Sequence, residues 1–420
     1  MKIAIFTLGT RGDVQPYAVL GKALKNRGHD VVLSTAKNFE SFIKSYGLDF
    51  VPVDADFQAM LESEDLKKIR KNPFLAKKQL SKFVYPMMND AFSTFYNLAK
   101  KSDRVLFHIK TMADNFADQF PEKMIKADVI PASQPTSEFP NPVFSFLPLP
   151  KSLNKLTYKI TELGLKMWSK PIIDFRIKEG LPVKFKKPEI PSLYGISEYL
   201  LAKPKDFPIN SYFTGFWSDT SDAELSPDLV EFLQNGEAPL LVTFGSMPFD
   251  SKLNLKELIK SVTEKLNIRV IIVKGWGLTD TKELESISAI KVVNSAPYDK
   301  LFPWVKAIVH HGGIGTMAAC LKAGKPFMTC PVLYPMGDQY FWGNIAFNKK
   351  VGLKPIPLKK ITPVNFISGI QELLSNEEIY VNARNLSEKL ANEDGIKNAI
   401  EIIEKNYREH VHKSTLNQNK

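Results

Sequence analysis

The run His310-His311-Gly312-Gly313-Ile314-Gly315-Thr316 has residue types and spacing suited to holding an anion. It follows the apolar segment Ala307-Ile308-Val309 and opens a helical pattern that continues from Met317. Glycines there let a ligand approach the backbone, and the free amides of a helix N-terminus attract negative charge. A diphosphate fits, and an imidazole beside it can donate to a phosphate oxygen. A plain strand-to-helix turn would read alike, because a glycine-rich turn is weak evidence alone. Asp13, in Gly9-Thr10-Arg11-Gly12-Asp13, follows the first apolar segment and is a candidate general base for a hydroxyl. It can equally cap a helix starting near Gln15 with Pro16 in its first turn, and the two roles can coexist. Asp338-Gln339 sets a carboxylate beside an amide, which offers acceptors and donors to adjacent hydroxyls; an exposed helix cap is the plain alternative.

These residues need strands to carry them. Residues 2–8, with the apolar run Ile3 to Leu8, read as a parallel strand buried on both faces. A helical pattern follows, with Val19, Leu20, Ala23 and Leu24 on one face and Gly28 at its end, and Val31-Val32-Leu33 opens the next strand. From about 57 to 150 the regularity loosens into aromatic-rich stretches, the kind of insertion that lines binding sites. The alternation restarts at Leu240-Leu241-Val242-Thr243-Phe244 and runs through Val270-Ile271-Ile272-Val273, Lys291-Val292-Val293, the strand before His310, and Pro326-Phe327-Met328-Thr329. Strand and helix alternating in this way predict an α/β fold with parallel sheets, repeated twice.

A chain of 420 residues is longer than one hydrophobic core usually grows. The expected division is a first domain over 1–218, a second over 219–395, and a C-terminal helix over 396–420 that returns toward the first domain and ends in a disordered tail from His410. Two open parallel sheets bind ligands beyond the carboxyl ends of their strands, so chemistry belongs in the cleft between them.

The motifs also carry a resemblance. The run from His310 to Thr316, then Ala323-Gly324-Lys325-Pro326, Pro331, Pro335 and Asp338-Gln339, resembles the donor-binding signature of the UDP-glycosyltransferase superfamily. Within it the chain is most similar to the sterol glucosyltransferase branch and to bacterial macrolide and glycopeptide glycosyltransferases. Gly9 to Pro16, Leu20-Gly21 and Gly28-His29 resemble the N-terminal hallmark of that branch, and Gly245-Ser246-Met247, Lys274-Gly275-Trp276 and the segment 296–303 fit in the same order. The resemblance implies a GT-B fold, two Rossmann-like domains facing across a cleft. It implies an inverting transfer of a hexose, glucose by the analogy of Gln339, from a UDP-sugar to a hydroxyl of a lipophilic acceptor such as a sterol, lipid or polyketide-like product. Asp13 is then the catalytic base. Asp338 and Gln339 hold the sugar hydroxyls, while Gly312, Gly313, Gly315 and Thr316 hold the diphosphate with His310, which aligns with the phosphate-contacting position. His311 is the second choice and packs structurally otherwise. Gly12 belongs to the same donor site, Ser246 adds a phosphate contact, and Trp276 is either a neighbour of the uracil or a core residue. Acceptor contacts are expected among Phe57, Met60, Phe83, Met87, Met88, Phe92, Phe144 and Phe146.

No cofactor or metal is expected, since a helix end and side chains do in a GT-B site what a cation does in another transferase fold. Asp54-Ala55-Asp56 has that other fold's metal-binding spelling but lies away from the donor signature. Gly9-x-x-Gly12 is no dinucleotide fingerprint, because the second strand ends without the acid that binds a ribose. Cys320 and Cys330 provide neither a disulfide framework nor ligand spacing, and with no signal-peptide core the expected compartment is the cytoplasm. The net charge of +11 collects in 67–82 and 151–187, interleaved with aliphatic and aromatic residues. That mixture reads either as solvated helix faces or as a surface resting on anionic membrane from the inner side. Nucleic acid is not expected, for no zinc-finger, basic-zipper or RNA-binding signature is present. Two other functions share the fold: a nucleotide-sugar 2-epimerase, and a silent nucleotide-sugar-binding protein.

Overall fold

The computed structural model describes residues 1–54, 76–245, 254–274 and 281–418. Among these, the strands form two parallel sheets. The first is ordered β3-β2-β1-β4-β5-β6-β7, with β1 (Lys2–Phe6), β2 (Asp30–Ala36), β3 (Asp49–Val53), β4 (Arg104–Phe107), β5 (Met124–Asp128), β6 (Ser192–Tyr194) and β7 (Ser211–Phe213). The second is ordered β10-β9-β8-β11-β12, with β8 (Leu240–Thr243), β9 (Val270–Val273), β10 (Ile290–Val293), β11 (Ala307–His310) and β12 (Phe327–Thr329). Each sheet therefore reverses its strand order once, between β1 and β4 in the first and between β8 and β11 in the second. Such a reversal splays the following loops apart and leaves a crevice at the carboxyl ends of the strands.

The strands are apolar on both faces because helices cover both. Ile3, Ala4, Ile5 and Phe6 of β1, and every residue of β8, β9 and β11, are buried. Helix α1 (Arg11–Asn26) begins four residues before the expected start near Gln15. Thr10, extended, is its cap residue, and Asp13 at the third position receives the Thr10 backbone N–H on Oδ2 at 2.9 Å. This capping exchange carries the helix back to Arg11 and leaves Pro16 inside it.

Further helices used below are α2 (Ala76–Lys101), α3 (Asn154–Leu165), α4 (Ser169–Lys178), α5 (Ile314–Lys322), α6 (Gln339–Asn348) and α7 (Gly395–Gln418). The irregular chain between Phe213 and Leu240, broken by a helix over Pro227–Gln234, joins the sheets. Helix α7 follows the second sheet yet packs on the first lobe. Its Glu404 meets His29 at 3.1 Å and Arg27 at 3.4 Å, and its Asn406 carbonyl accepts from Arg104 at 2.5 Å. The helix continues to Gln418, so the stretch after His410 is helical where the sequence predicts a disordered tail. Among the described residues no helix is long and apolar enough to cross a membrane.

Candidate active site

Asp13 stands at the reversal point of the first sheet, on the first turn of the helix that leaves β1. Its side chain is nearly buried and fully engaged. Oδ2 takes the Thr10 N–H and, at 3.3 Å, the Thr10 hydroxyl; Oδ1 takes Lys110 Nζ at 2.5 Å. Gly9 explains the spelling of the motif. It adopts φ +138°, and a Cβ there would fall 2.2 Å from Asp13 Oδ2, so only glycine leaves room for the carboxylate. Burial pushes the Asp13 carboxyl up, but Lys110, His108 and the Thr10 N–H outweigh it and hold its pKa below the ordinary value.

Lys110 comes from the turn after β4, across the same reversal. Its turn is pinned from below by Asp128 at the end of β5, whose Oδ1 accepts from the Ile109 N–H at 2.9 Å. Burial pushes the Asp128 carboxyl up to about 6. His108, buried beside Tyr17 at 5.5 Å between ring centres, is pushed down to about 4 by burial and is neutral near pH 7.

The second sheet brings its own reversal point to the cleft. Gly245 follows β8, and His310, His311, Gly312 and Gly313 end β11 and lead into α5. Gly313 is the cap residue of α5, so the amides of Ile314, Gly315 and Thr316 open the helix without intrahelical acceptors. The two histidines take different places. His310 is completely buried, packs edge-on against Phe327 at 5.1 Å, and its Nδ1 accepts the Gly312 N–H at 3.0 Å. The His311 ring instead lies in the cradle itself. A Cβ at Gly313 would come 2.5 Å from His311 Nε2, and one at Gly245 would come 2.8 Å from its Cε1. Burial keeps both imidazoles neutral, His310 well below its ordinary pKa and His311 at about 4. Gly312 has φ +91° and passes the Gln339 backbone, while at Gly315 a Cβ would meet nothing within 4 Å.

Asp338 and Gln339 start α6 from the loop after β12. Asp338 makes no cap bond; its Oδ2 accepts from the Trp342 indole at 3.1 Å. Burial and the charge of Asp13 raise its pKa, and Lys110 opposes them. The lysine thus lies within electrostatic reach of one carboxylate from each lobe. Gln339 is buried, and its Oε1 accepts the N–H groups of Val332 at 2.8 Å and Leu333 at 2.9 Å. That leaves the amide nitrogen for a ligand.

Gly12 sits on α1 with open space around it, its nearest neighbour the Thr10 hydroxyl. Ser246 and Trp276 lie outside the described residues, as do Phe57, Met60, the side chain of Phe83, Ala55 and Asp56, and residues 67–75 of the first basic stretch. Asp54 pairs with Lys37 at 2.7 Å. Of the expected acceptor contacts, Phe92 is instead core, its ring tilted against Phe175 at 5.4 Å between centres, and Met87 and Met88 pack against that core. A long helix turns such residues inward with its 3.6-residue period. Phe146 meets Tyr334 at 6.2 Å across the lobe junction, and Phe139 meets Phe341 at 5.3 Å. Lys110 and His108 are residues that the sequence reading missed. The signal was the short apolar run Arg104–Phe107, a strand whose following loop had to face the cleft. Among the described residues no group of three or more His, Cys, Asp or Glu is gathered as for a metal.

Two helix-flanked parallel sheets, each with a reversal point opening on one cleft, define the GT-B class. Residues 3–111, which span Asp13 and Lys110, match the glycosyltransferase family 28 N-terminal domain. The chain is 29% identical to the sterol 3-beta-glucosyltransferase UGT80A2 of Arabidopsis thaliana, over 96% of this chain and 65% of the relative. It is 31% identical to the sterol 3-beta-glucosyltransferase of Emericella nidulans, over 99% of this chain but 30% of the relative. It therefore spans just under two thirds of the plant relative and under a third of the fungal one. The glycosyltransferase of kitacinnamycin superposes with a TM-score of 0.71 at 15% identity, over 97% of this chain and 99% of that one. The chain has the GT-B fold, with sterol glucosyltransferases among its homologues.

Proposed function

We propose that this protein is an inverting glycosyltransferase that moves a hexose, glucose by analogy, from a UDP-sugar to the hydroxyl of a sterol or similar lipophilic alcohol. The observation that carries it is the confrontation of Asp13 and Lys110 with Asp338 over the crevice that also receives the α5 N-terminus. The similarity to sterol 3-beta-glucosyltransferases supplies the substrate class.

The chemistry follows from those groups. An acceptor hydroxyl replaces Lys110 at Asp13 Oδ1 and gives its proton to the carboxylate as its oxygen closes on the anomeric carbon. The sugar–oxygen bond breaks on the opposite face, so the configuration inverts. Negative charge grows on the departing diphosphate, where the amides of Ile314, Gly315 and Thr316 meet it without reorganising. His311, neutral, donates one hydrogen bond there; His310 holds the loop's shape by accepting the Gly312 N–H at Nδ1, while its buried Nε2 has no partner. This reading gives the phosphate contact to His311, where the sequence puts His310 first. Asp338 and the Gln339 amide nitrogen take the sugar hydroxyls. Helix-end amides carry the charge, so turnover is expected to persist in chelator. The test is labelled UDP-glucose with a sterol panel, read by mass spectrometry and by the anomeric coupling of the product. Expected is a β-glucoside formed with free UDP only when the alcohol is present. UDP released without acceptor, or a 2-epimerised donor, would overturn the reading.

A further inference from the structure

Helix α3 is built inside out for a soluble lobe. Its inner face carries no aliphatic side chain: Asn154, Thr157 and Tyr158 are buried, with Asn154 donating to the Ser137 carbonyl at 2.9 Å and Thr157 accepting the Asn141 N–H at 2.8 Å. At 3.6 residues per turn, Leu156 and Leu163 fall on the opposite side, with Ile160 beside them. They are 49%, 64% and 48% exposed. Leu147 and Leu153 before them, and Ile173 and Ile177 on α4, are exposed as well. A core-facing helix turns its aliphatic stripe inward, and outward clusters of this kind mark an interaction surface.

The same stretch is strongly basic. Residues 151–187 hold nine lysines and Arg176 against Glu162, Asp174 and Glu179. Arg176 is buried on Asp118 at 2.8 Å, so the outward charge belongs to the lysines. Lys155, Lys170 and Lys187 have acidic partners, whereas Lys151, Lys159, Lys166, Lys184 and Lys186 have none within 4 Å among the described residues. Lys159 and Lys166 flank the leucine stripe.

We propose that α3 and its flanks dock on an anionic lipid bilayer, the aliphatic side chains entering the acyl boundary and the lysines resting on headgroup phosphates. Charge decides the occupant. A second copy related by a twofold axis would set these lysines against themselves, whereas anionic headgroups complement them. The surface also adjoins the cleft. The segment that anchors α3 contains Asn141, between Phe139 and Phe146, the two rings that touch the second lobe. A bilayer held by α3 therefore lies beside the side of the cleft where a lipophilic acceptor would enter.

The test reads vesicle binding, with no turnover step, so it stands apart from the proposed activity. The full chain is sedimented with vesicles of phosphatidylcholine alone and of phosphatidylcholine containing one third phosphatidylglycerol. Expected is binding to the anionic vesicles that fades with added salt. Leu156→Ser with Leu163→Ser, and separately Lys159→Glu with Lys166→Glu, should each weaken it by about tenfold or more with melting temperature unchanged. Wild-type affinity in both double variants, or equal binding to neutral vesicles, would overturn the proposal. So would a wild-type dimer in light scattering that the leucine variants dissociate, since the surface would then be a self-interface.

Discussion

The two reversal points face one another but are made of different material. At the first reversal point the site is ionised side chains, Asp13 locked between Thr10 and Lys110 with Asp128 underneath, facing the second lobe's Asp338 across the gap. In the second it is backbone, with helix-end amides, glycines and two neutral imidazoles. A group that must accept a proton needs a charge state that its surroundings can tune. A cradle for a diphosphate needs fixed dipoles and empty space. Each lobe supplies one of these.

That contrast can be broken by experiment, and the largest effect is expected at the proposed base. Asp13→Asn keeps the cap geometry but cannot take a proton, so turnover should fall by about three orders of magnitude. UDP affinity, measured by calorimetry, should stay within about twofold, because the carboxylate belongs to the other lobe. A large loss of UDP binding would show that the two regions are not separate.

The cradle should fail in the complementary way. Gly313 has an ordinary extended backbone, so alanine adds only a methyl, 2.5 Å from His311 Nε2. Displacing that ring should weaken UDP by about tenfold or more with the fold intact. The histidines themselves should separate: His311→Ala lowers turnover and UDP affinity. His310→Ala instead lowers the melting temperature, by opening a cavity and orphaning the Gly312 N–H at a cost of about 2–4 kcal/mol. A larger loss of UDP affinity in His310→Ala than in His311→Ala would restore the sequence-based ranking.

Lys110 sharpens the comparison through pH. With Asp13 held below its ordinary value, the acid limb of kcat/KM should lie below the usual carboxylate range. Lys110→Met leaves burial unopposed by the nearest cation, so the limb should move upward in pH, while Lys110→Arg should keep it low. An unmoved limb would remove the lysine from the mechanism.

The smallest effect concerns the platform. A carboxyl raised to about 6 by burial favours the fold most below its unfolded value of 3.8, and that contribution is lost as pH rises through about 6. Asp128→Asn retains an oxygen for the Ile109 N–H and removes the titration. The variant should melt higher than wild type at pH 7, with a flatter profile between those two values. Thermal melts across pH check it.

Much of this was legible in the chain alone. Residues 3–6 and 240–242 are too uniformly apolar to be anything but strands covered on both sides, and the glycines after β11 announced the helix end found there. Gly9-Thr10-Arg11-Gly12-Asp13 pointed to its carboxylate, because motif spelling records local geometry and local geometry is what short sequence encodes. The tertiary structure alone decided the rest. Lys110 reaches Asp13 across 97 residues of sequence. Which of two adjacent imidazoles faces the cleft depends on strand alternation against Phe327 and Gly245. Whether Phe92 meets an acceptor or Phe175 depends on the face that α2 turns inward. Such facts are set by packing between distant elements, and no local pattern of residues carries them.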